Sequence, residues 1–235
     1  MSTDGFEDLQ KRFYKEIYPK LVEGGSQGRF HSFTHRFLEK PFDKSATFEN
    51  VLEVGAGSGE HYQFVRHQFS NYVQSDIRIP ESAMTQDARS SFVATNAEDL
   101  PFVDNYFDRV VLTCLLHHLS NPLTCLREVK RVVKPGGHIS ILVPADPGFF
   151  YRALRFLTSV RRAKKLGFDS GALVHALEHR NHVGSLNQMI KYVFAESEIK
   201  SRGWPLVIAS WWNLNLLISY QIRTPISVTL EVNLA

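Results

Sequence analysis

The residues of this chain best spaced to hold a ligand are Glu53-Val54-Gly55-Ala56-Gly57-Ser58-Gly59, together with Asp76, 21 positions after Gly55. Glycines let a backbone turn sharply and approach a ligand closely. A helix opening directly after such a loop would add unpaired N–H groups and positive potential. A dinucleotide loop follows G-x-G-x-x-G, its third glycine letting the helix pack near the strand. Here position 60 is Glu and the spacing is G-x-G-x-G, with an acid two residues before the first glycine. An acid so placed suits a ligand with an ammonium group better than a pyrophosphate. S-adenosylmethionine, which carries an ammonium and a sulfonium, is such a ligand. A carboxylate at Asp76 can accept both hydroxyls of a ribose, which predicts a nucleoside without choosing between the two cofactors.

Histidines form the second group. His117 and His118 follow an apolar run, where α/β proteins bind ligands, and either one could touch a substrate or simply pack in its loop. His175, His179 and His182 read H-x3-H-x2-H, and on one helix they would share a face, as metal ligands do. No carboxylate stands in register with them, so a metal is not expected, and a polar lid carrying Glu178 and His179 is the alternative to a solvated face. Gly57-Ser58-Gly59 offers a serine, but G-A-G-S-G is not the G-x-S-x-G of a nucleophile elbow. No side chain stands out as a general base; His118 and His179 are the candidates.

Elements that would position these groups are legible around them. Apolar spacing predicts a helix over 6–21, then a Gly/Ser loop from 24 and a short helix reaching Glu39. From Val51, strands are expected at 51–55, 72–76, 91–95, 107–116 and 138–144, with helices at 61–69 and 122–133. Apolar runs without strict alternation indicate a parallel sheet covered on both faces. Helices are expected over 148–166 and 171–195, then two strands near 198–206 and 214–223. The organisation is thus an N-terminal helical lid segment (1–50) and a domain (51–235) with a helical insertion at about 145–197.

Four stretches, VLEVGAGSG (51–59) with Asp76, NAEDLPF (96–102), FDRVVLTCLLHHL (107–119) and LREVKRVVKPGG (126–137), resemble the class I S-adenosylmethionine-dependent methyltransferases. Within them the chain is most similar to the small-molecule group that includes the ubiquinone/menaquinone-type C-methyltransferases. The resemblance covers about 30–144 and, loosely, the last two strands. It implies an α/β, Rossmann-like seven-stranded sheet of order 3-2-1-4-5-7-6, with strand 7 antiparallel. It implies that Glu53, Gly55, Ala56, Gly57 and Gly59 surround the methionine part of S-adenosylmethionine. Asp76 would hold the ribose, Ile77 would pack on the adenine, and Asn96 and Ala97 would meet its edge. Asn96 stands where an aspartate is usual, so the polarity there differs. Thr113 and Cys114 would turn their backbone to the methionine end, and Arg36, in a segment that in similar enzymes closes over the cofactor, would either pair with its carboxylate or be a surface basic residue.

Composition bounds the rest. The 235 residues are 43% hydrophobic and 22% charged, enough for a sizeable core. Cys114 and Cys125 are the only cysteines, too few for a disulfide scaffold or a four-cysteine zinc site. The start of the chain lacks an apolar leader, so a cytoplasmic protein is expected. Net charge is +3, but residues 151–180 alone carry +5. So local a surplus argues against nucleic acid. It lies on a basic amphipathic stretch, 149–166, which predicts either peripheral membrane contact or a roof over the acceptor pocket. The reading is a methyltransferase for a small or lipid-like, amphiphilic acceptor. The alternatives are a non-catalytic S-adenosylmethionine-binding subunit or sensor, and a nicotinamide oxidoreductase, disfavoured by Glu60.

Overall fold

The computed structural model describes residues 8–9, 11–17, 20, 25–79, 87–208 and 211–226. Much of the helix expected at 6–21 lies outside them; of its described part, Phe13–Ile17 is helical. Helix α1 runs Gly25–Glu39, so the Gly/Ser stretch read as a loop is already helical. The sheet comprises β1 (Thr47–Val54), β2 (Gln68–Asp76), β3 (Ser90–Ala94), β4 (Phe107–Thr113), β5 (Val133–Pro144), β6 (Glu198–Trp204) and β7 (Leu217–Arg223). Its order is β3-β2-β1-β4-β5-β7-β6, as expected. β1 pairs with β2 and β4 in parallel, and β7 lies antiparallel to both β5 and β6.

Both faces of the sheet are covered, which explains the apolar runs. Leu52, Val54, Val110, Leu112, Ile139 and Ile141 face one way, onto Leu126 and Val129 of α2 (Pro122–Val132) and Leu186 and Ile190 of α5 (Val183–Val193). Val51, Tyr72, Val111 and Leu142 face the other way, onto Phe37 and Leu38 of α1. Between α2 and α5 lies the insertion. It holds α3, three abutting helical pieces (Phe149–Arg155, Phe156–Val160 and Arg161–Lys165), and α4 (Gly171–Glu178). Ile17 packs with Ala163, Phe168 and Val174, so the N-terminal segment rests on this insertion.

Two expected helices are corrected. The 61–69 helix is a single 3-10 turn, Glu60–Phe64, and β2 already begins at Gln68. Val65 is extended, and alternation of buried and exposed groups takes over from there. The glycine loop therefore has no long helix dipole behind it. The 171–195 helix breaks at His179–His182, because Asn181 is tied elsewhere, as described below.

Buried titrating groups make the fold sensitive to acid. Burial holds His35 down to about 3 and His67 down to about 4. Both stay neutral when folded, whereas an unfolded chain protonates them near 6.5. Their stabilisation is full above pH 6.5 and is lost as pH falls towards 4. Glu53, raised to about 7 by burial, acts in the opposite sense: the folded chain takes up its proton first, which adds stability between pH 7 and 4.5. With Glu53 opposing them, the two contribute a net loss of about 1 to 2 kcal/mol from pH 7 to pH 5, beside that of the other buried histidines. In Glu53→Gln the opposing proton is gone, and the total loss grows by about 2 kcal/mol. Urea midpoints at the two pH values measure both; equal losses in the two proteins would contradict the assignment.

Candidate active site

Strand order reverses between β1 and β4, since the chain runs outward to β2 and β3 on one side and to β4 and β5 on the other. A crevice at the carboxyl ends of parallel strands opens at such a point. Here it is flanked by the glycine loop after β1 and the turn 115–119 after β4. A cleft of about 210 Å3 lies there, walled by Gly55, Asp76, Ile77, Asn96, Ala97, Leu115 and His118. Whole-ligand pockets usually measure about 300 to 1,000 Å3. The cleft thus matches the nucleoside end of a cofactor, and the remainder would lie along the open face of the loop. A larger groove of about 470 Å3 beside Tyr62 and Arg89 is assigned no chemistry, because Arg89 already pairs with Asp87.

The loop is pinned from below and open above. Gly55 and Ala56 donate their N–H groups to Ser75 O, at 2.8 and 3.0 Å. Gly57 N–H donates to Asp76 Oδ2 at 2.8 Å, which fixes the carboxylate at the rim. Gly55 sits at φ +74°, and a Cβ there would meet Leu115 at 2.7 Å, so only glycine fits. Gly57, at φ +57°, has nothing within 4 Å of where a Cβ would stand, which leaves room for a ligand against the backbone. Ile77 is 73% exposed beside Asp76, as an apolar platform for a base would be. Asn96 Oδ1 accepts from Glu98 N–H at 3.0 Å, leaving its amide nitrogen, a donor, for a ligand where a carboxylate would accept. These residues fit the nucleoside of S-adenosylmethionine.

Other sequence-predicted residues sit differently. Glu53 does not face the loop's ligand side: its carboxyl is buried and accepts from Tyr72 Oη–H at 3.1 Å. An ammonium group would meet backbone first. Thr113 ends β4, its hydroxyl buried without a partner among the described residues. Cys114 makes the corner at φ +52°, and burial pushes its thiol up to about 12, so it is no nucleophile. Arg36 is exposed, its guanidinium 5.5 Å from the centre of the Phe64 ring.

Beside the cleft the histidines converge, though not as one helical face. His182 caps α5 and stands apart from them in the chain's path, while His175 and His179 meet His117 and His118. His118 lines the cleft, and its Nδ1 lies 3.1 Å from Glu178 O. His179 Nδ1 lies 3.0 Å from Asp146 Oδ2, and His175 Nε2 lies 3.6 Å from the same oxygen. Burial holds His117 and His179 below the usual imidazole range and His175 at about 3, so all three are neutral at pH 7. Asn181 explains the break between α4 and α5. Its Nδ2 donates to Leu116 O at 3.1 Å and Leu119 O at 2.7 Å, stapling the insertion to the turn after β4. Neither Asp146 nor Asn181 was singled out by spacing. Asp146 had one readable sign, its place just beyond the carboxyl end of β5.

Comparison with known proteins agrees with this geometry. Residues 52–141 match the family described as "Methyltransferase domain". That stretch runs from β1 into β5 and contains the glycine loop, Asp76 and the turn after β4. The chain resembles the ubiquinone/menaquinone biosynthesis C-methyltransferase UbiE of Coxiella burnetii, with 43% identity over 112 residues, 43% of this chain and 45% of that one. The demethylmenaquinone methyltransferase of Clavibacter sepedonicus is 33% identical over 104 residues, 42% of each chain. The chain thus spans less than half the length of these curated relatives. Among solved structures, the plantazolicin methyltransferase BpumL with S-adenosylhomocysteine superposes with a TM-score of 0.62 at 11% identity, over 94% of this chain and 98% of that one. The N-methyltransferase NodS of Bradyrhizobium japonicum, also with S-adenosylhomocysteine, gives 0.56 at 15% identity, over 94% and 98%. These likenesses establish the fold.

Proposed function

We propose that the chain is an S-adenosylmethionine-dependent methyltransferase whose acceptor is a small, amphiphilic molecule. The observation that carries this is the Gly57–Asp76 pairing at the open rim of the β1 loop, with space over Gly57 and an exposed Ile77 beside it. UbiE and the two S-adenosylhomocysteine-bound neighbours support the same cofactor. When bound, the cofactor supplies an electrophilic methyl on its sulfonium, so the protein need mainly align an acceptor behind it. Asp76 holds the ribose, Gly55, Ala56, Gly57 and Gly59 make the floor, and Ala97 and Asn96 bound the base. Thr113 and Cys114 form the corner beneath the methionine end. His118 and His179, on the cleft's other wall and just behind it, are placed to act on the acceptor. In calorimetry, S-adenosylhomocysteine binds and NAD does not; binding of NAD alone would discard this reading. Transfer of a labelled methyl from S-adenosylmethionine to a metabolite extract separates an enzyme from a non-catalytic subunit.

The acceptor's amphiphilic character rests on α3. Phe149, Phe156 and Leu157 are 70%, 58% and 55% exposed, and Arg152, Arg161, Arg162, Lys164 and Lys165 flank them. Such a face suits the boundary of an anionic bilayer. No helix among the described residues is long and apolar enough to cross one. Cosedimentation with phosphatidylglycerol vesicles is expected to exceed that with phosphatidylcholine and to weaken in salt. Phe149→Ser with Phe156→Ser is expected to reduce it several-fold. Equal recovery on both vesicle types would instead make α3 a roof for a soluble acceptor.

A further inference from the structure

We infer that His117, His118 and His179 form a binding site for a divalent transition-metal ion, with zinc or cobalt as its probes. One ring nitrogen from each lies within 4.8 Å of the other two. Three imidazoles with a free fourth position are a common zinc ligand set. Spacing along the chain hides this, because two ligands come from the turn after β4 and the third from the break between α4 and α5.

The hydrogen bonds of two of the rings are those that metal-bound histidines make. His179 Nδ1 lies 3.0 Å from Asp146 Oδ2, and His118 Nδ1 lies 3.1 Å from Glu178 O. Each oxygen can only accept or, for the carboxylate, is charged to accept, so each ring carries its proton on Nδ1 and keeps a lone pair on Nε2. A carboxylate behind one ligand and a carbonyl behind another fix both tautomers. Asp146 also provides the acid that spacing along 175–182 lacked.

His117 gives the independent sign. Its residue is only 3% exposed, yet its Nδ1 has no hydrogen-bond partner among the described residues. A buried ring nitrogen left unpaired pays for its lost water with nothing in return, unless a ligand takes it up. The ring centres of His117 and His118 are 3.9 Å apart and those of His117 and His179 4.3 Å, so the His117 ring is packed against the other two imidazoles.

The ion's place deepens the proposed function, and rests on it only for this step. His118 belongs both to the triad and to the wall of the cofactor cleft. A cation there adjoins the acceptor and favours one that presents an anionic oxygen, a phenolate or enolate, whose charge the ion balances. A soft thiol-only or purely hydrocarbon acceptor gains nothing from it.

The test uses the full chain free of any polyhistidine tag, stripped with chelator and titrated with Co2+ and Zn2+, without cofactor or acceptor. One equivalent of Co2+ is expected to give the visible d–d absorption of a nitrogen-ligated tetrahedral site, displaced by Zn2+. His117→Gln and His179→Ala are expected to lose at least about 100-fold in Zn2+ affinity, and Asp146→Asn about 10- to 100-fold. His175→Ala, outside the triad, keeps the Co2+ spectrum. Failure of the parent protein to take up one equivalent overturns the inference whatever the variants do. So does retention of binding in folded His117→Gln, or its loss in folded His175→Ala, which would mark Asp146, His175 and His179 as the ligands instead. Because metal uptake is read without methyl transfer, its failure leaves the methyltransferase reading standing, and S-adenosylhomocysteine binding tests that reading separately.

Discussion

Asp76→Ala is expected to weaken S-adenosylhomocysteine binding by about 100- to 1,000-fold while leaving the fold intact. Two ribose hydroxyls donating to one carboxylate are charge-assisted hydrogen bonds, worth about 1.5 to 3 kcal/mol each. Losing both removes about 3 to 6 kcal/mol, of which water at the exposed rim restores part, leaving about 3 to 4 kcal/mol, and each 1.4 kcal/mol is tenfold in Kd. The carboxylate also anchors the loop through Gly57 N–H, so its removal loosens the surface the ligand must meet. Stability changes little, because this hydrogen bond is exposed and water replaces the lost acceptor. Asp76→Asn is milder, since the amide keeps one accepting oxygen while placing a donor against the second hydroxyl. Calorimetry at one pH with parent and variants reads the ratio. An affinity within threefold of the parent would show that the ribose lies elsewhere, and with it the proposed cofactor pose.

How much of this was legible depended on how far apart in the chain the partners stand. That the glycine loop, Asp76, Ile77, Asn96 and Ala97 line one cleft was readable because a strand, its turn and the next strand's end are local in the chain. The alternation of apolar runs and helices indicated a parallel sheet covered on both faces, and the order of its strands came from the family resemblance alone. For Glu53, sequence gives the position of an acid but not its surroundings: along a strand, side chains alternate between faces, and this carboxyl is buried against Tyr72. The short crossover at 60–64 was hidden because HYQFVRHQF fits a helical period as well as an extended one. The histidine cluster was half visible. His175 and His179 showed their four-residue spacing, but His117 and His118 are some 60 residues away, and the staple that joins them, Asn181, is an ordinary loop residue until its two carbonyl partners are in place.

Glu39 and Arg109 are the clearest case of a determinant that spacing could not show, and removing either is expected to cost about 3 to 5 kcal/mol of stability. Seventy residues separate them, yet both side chains are fully buried. Arg109 Nη1 donates to Glu39 Oε2 at 3.1 Å and Nη2 to Oε1 at 2.6 Å, a bidentate pair. Nη2 also reaches Ser140 Oγ at 3.1 Å, His61 Nε2 lies 3.0 Å from Glu39 Oε1, and the Phe42 ring lies 4.1 Å from the guanidinium carbon. The pair therefore joins the end of α1 to β4, β5 and the turn after the glycine loop. Burial alone would raise the Glu39 carboxyl, but Arg109 and His61 outweigh it and hold the group well below the usual carboxylate range. It is thus charged at every pH at which the protein works, and Glu39→Ala leaves Arg109 charged and unpaired in the core. For a chain of this length each kcal/mol shifts Tm by about 2 to 4 °C, so either Glu39→Ala or Arg109→Ala is expected to lower Tm by roughly 6 to 20 °C. The double replacement Glu39→Leu with Arg109→Met leaves no stranded charge, and apolar groups of similar volume often match a buried ion pair. It is therefore expected to melt above both single variants. If it melts at the sum of their losses instead, the singles suffer from lost packing rather than from an orphaned charge, and α1 is held by Phe37 and Leu38 alone.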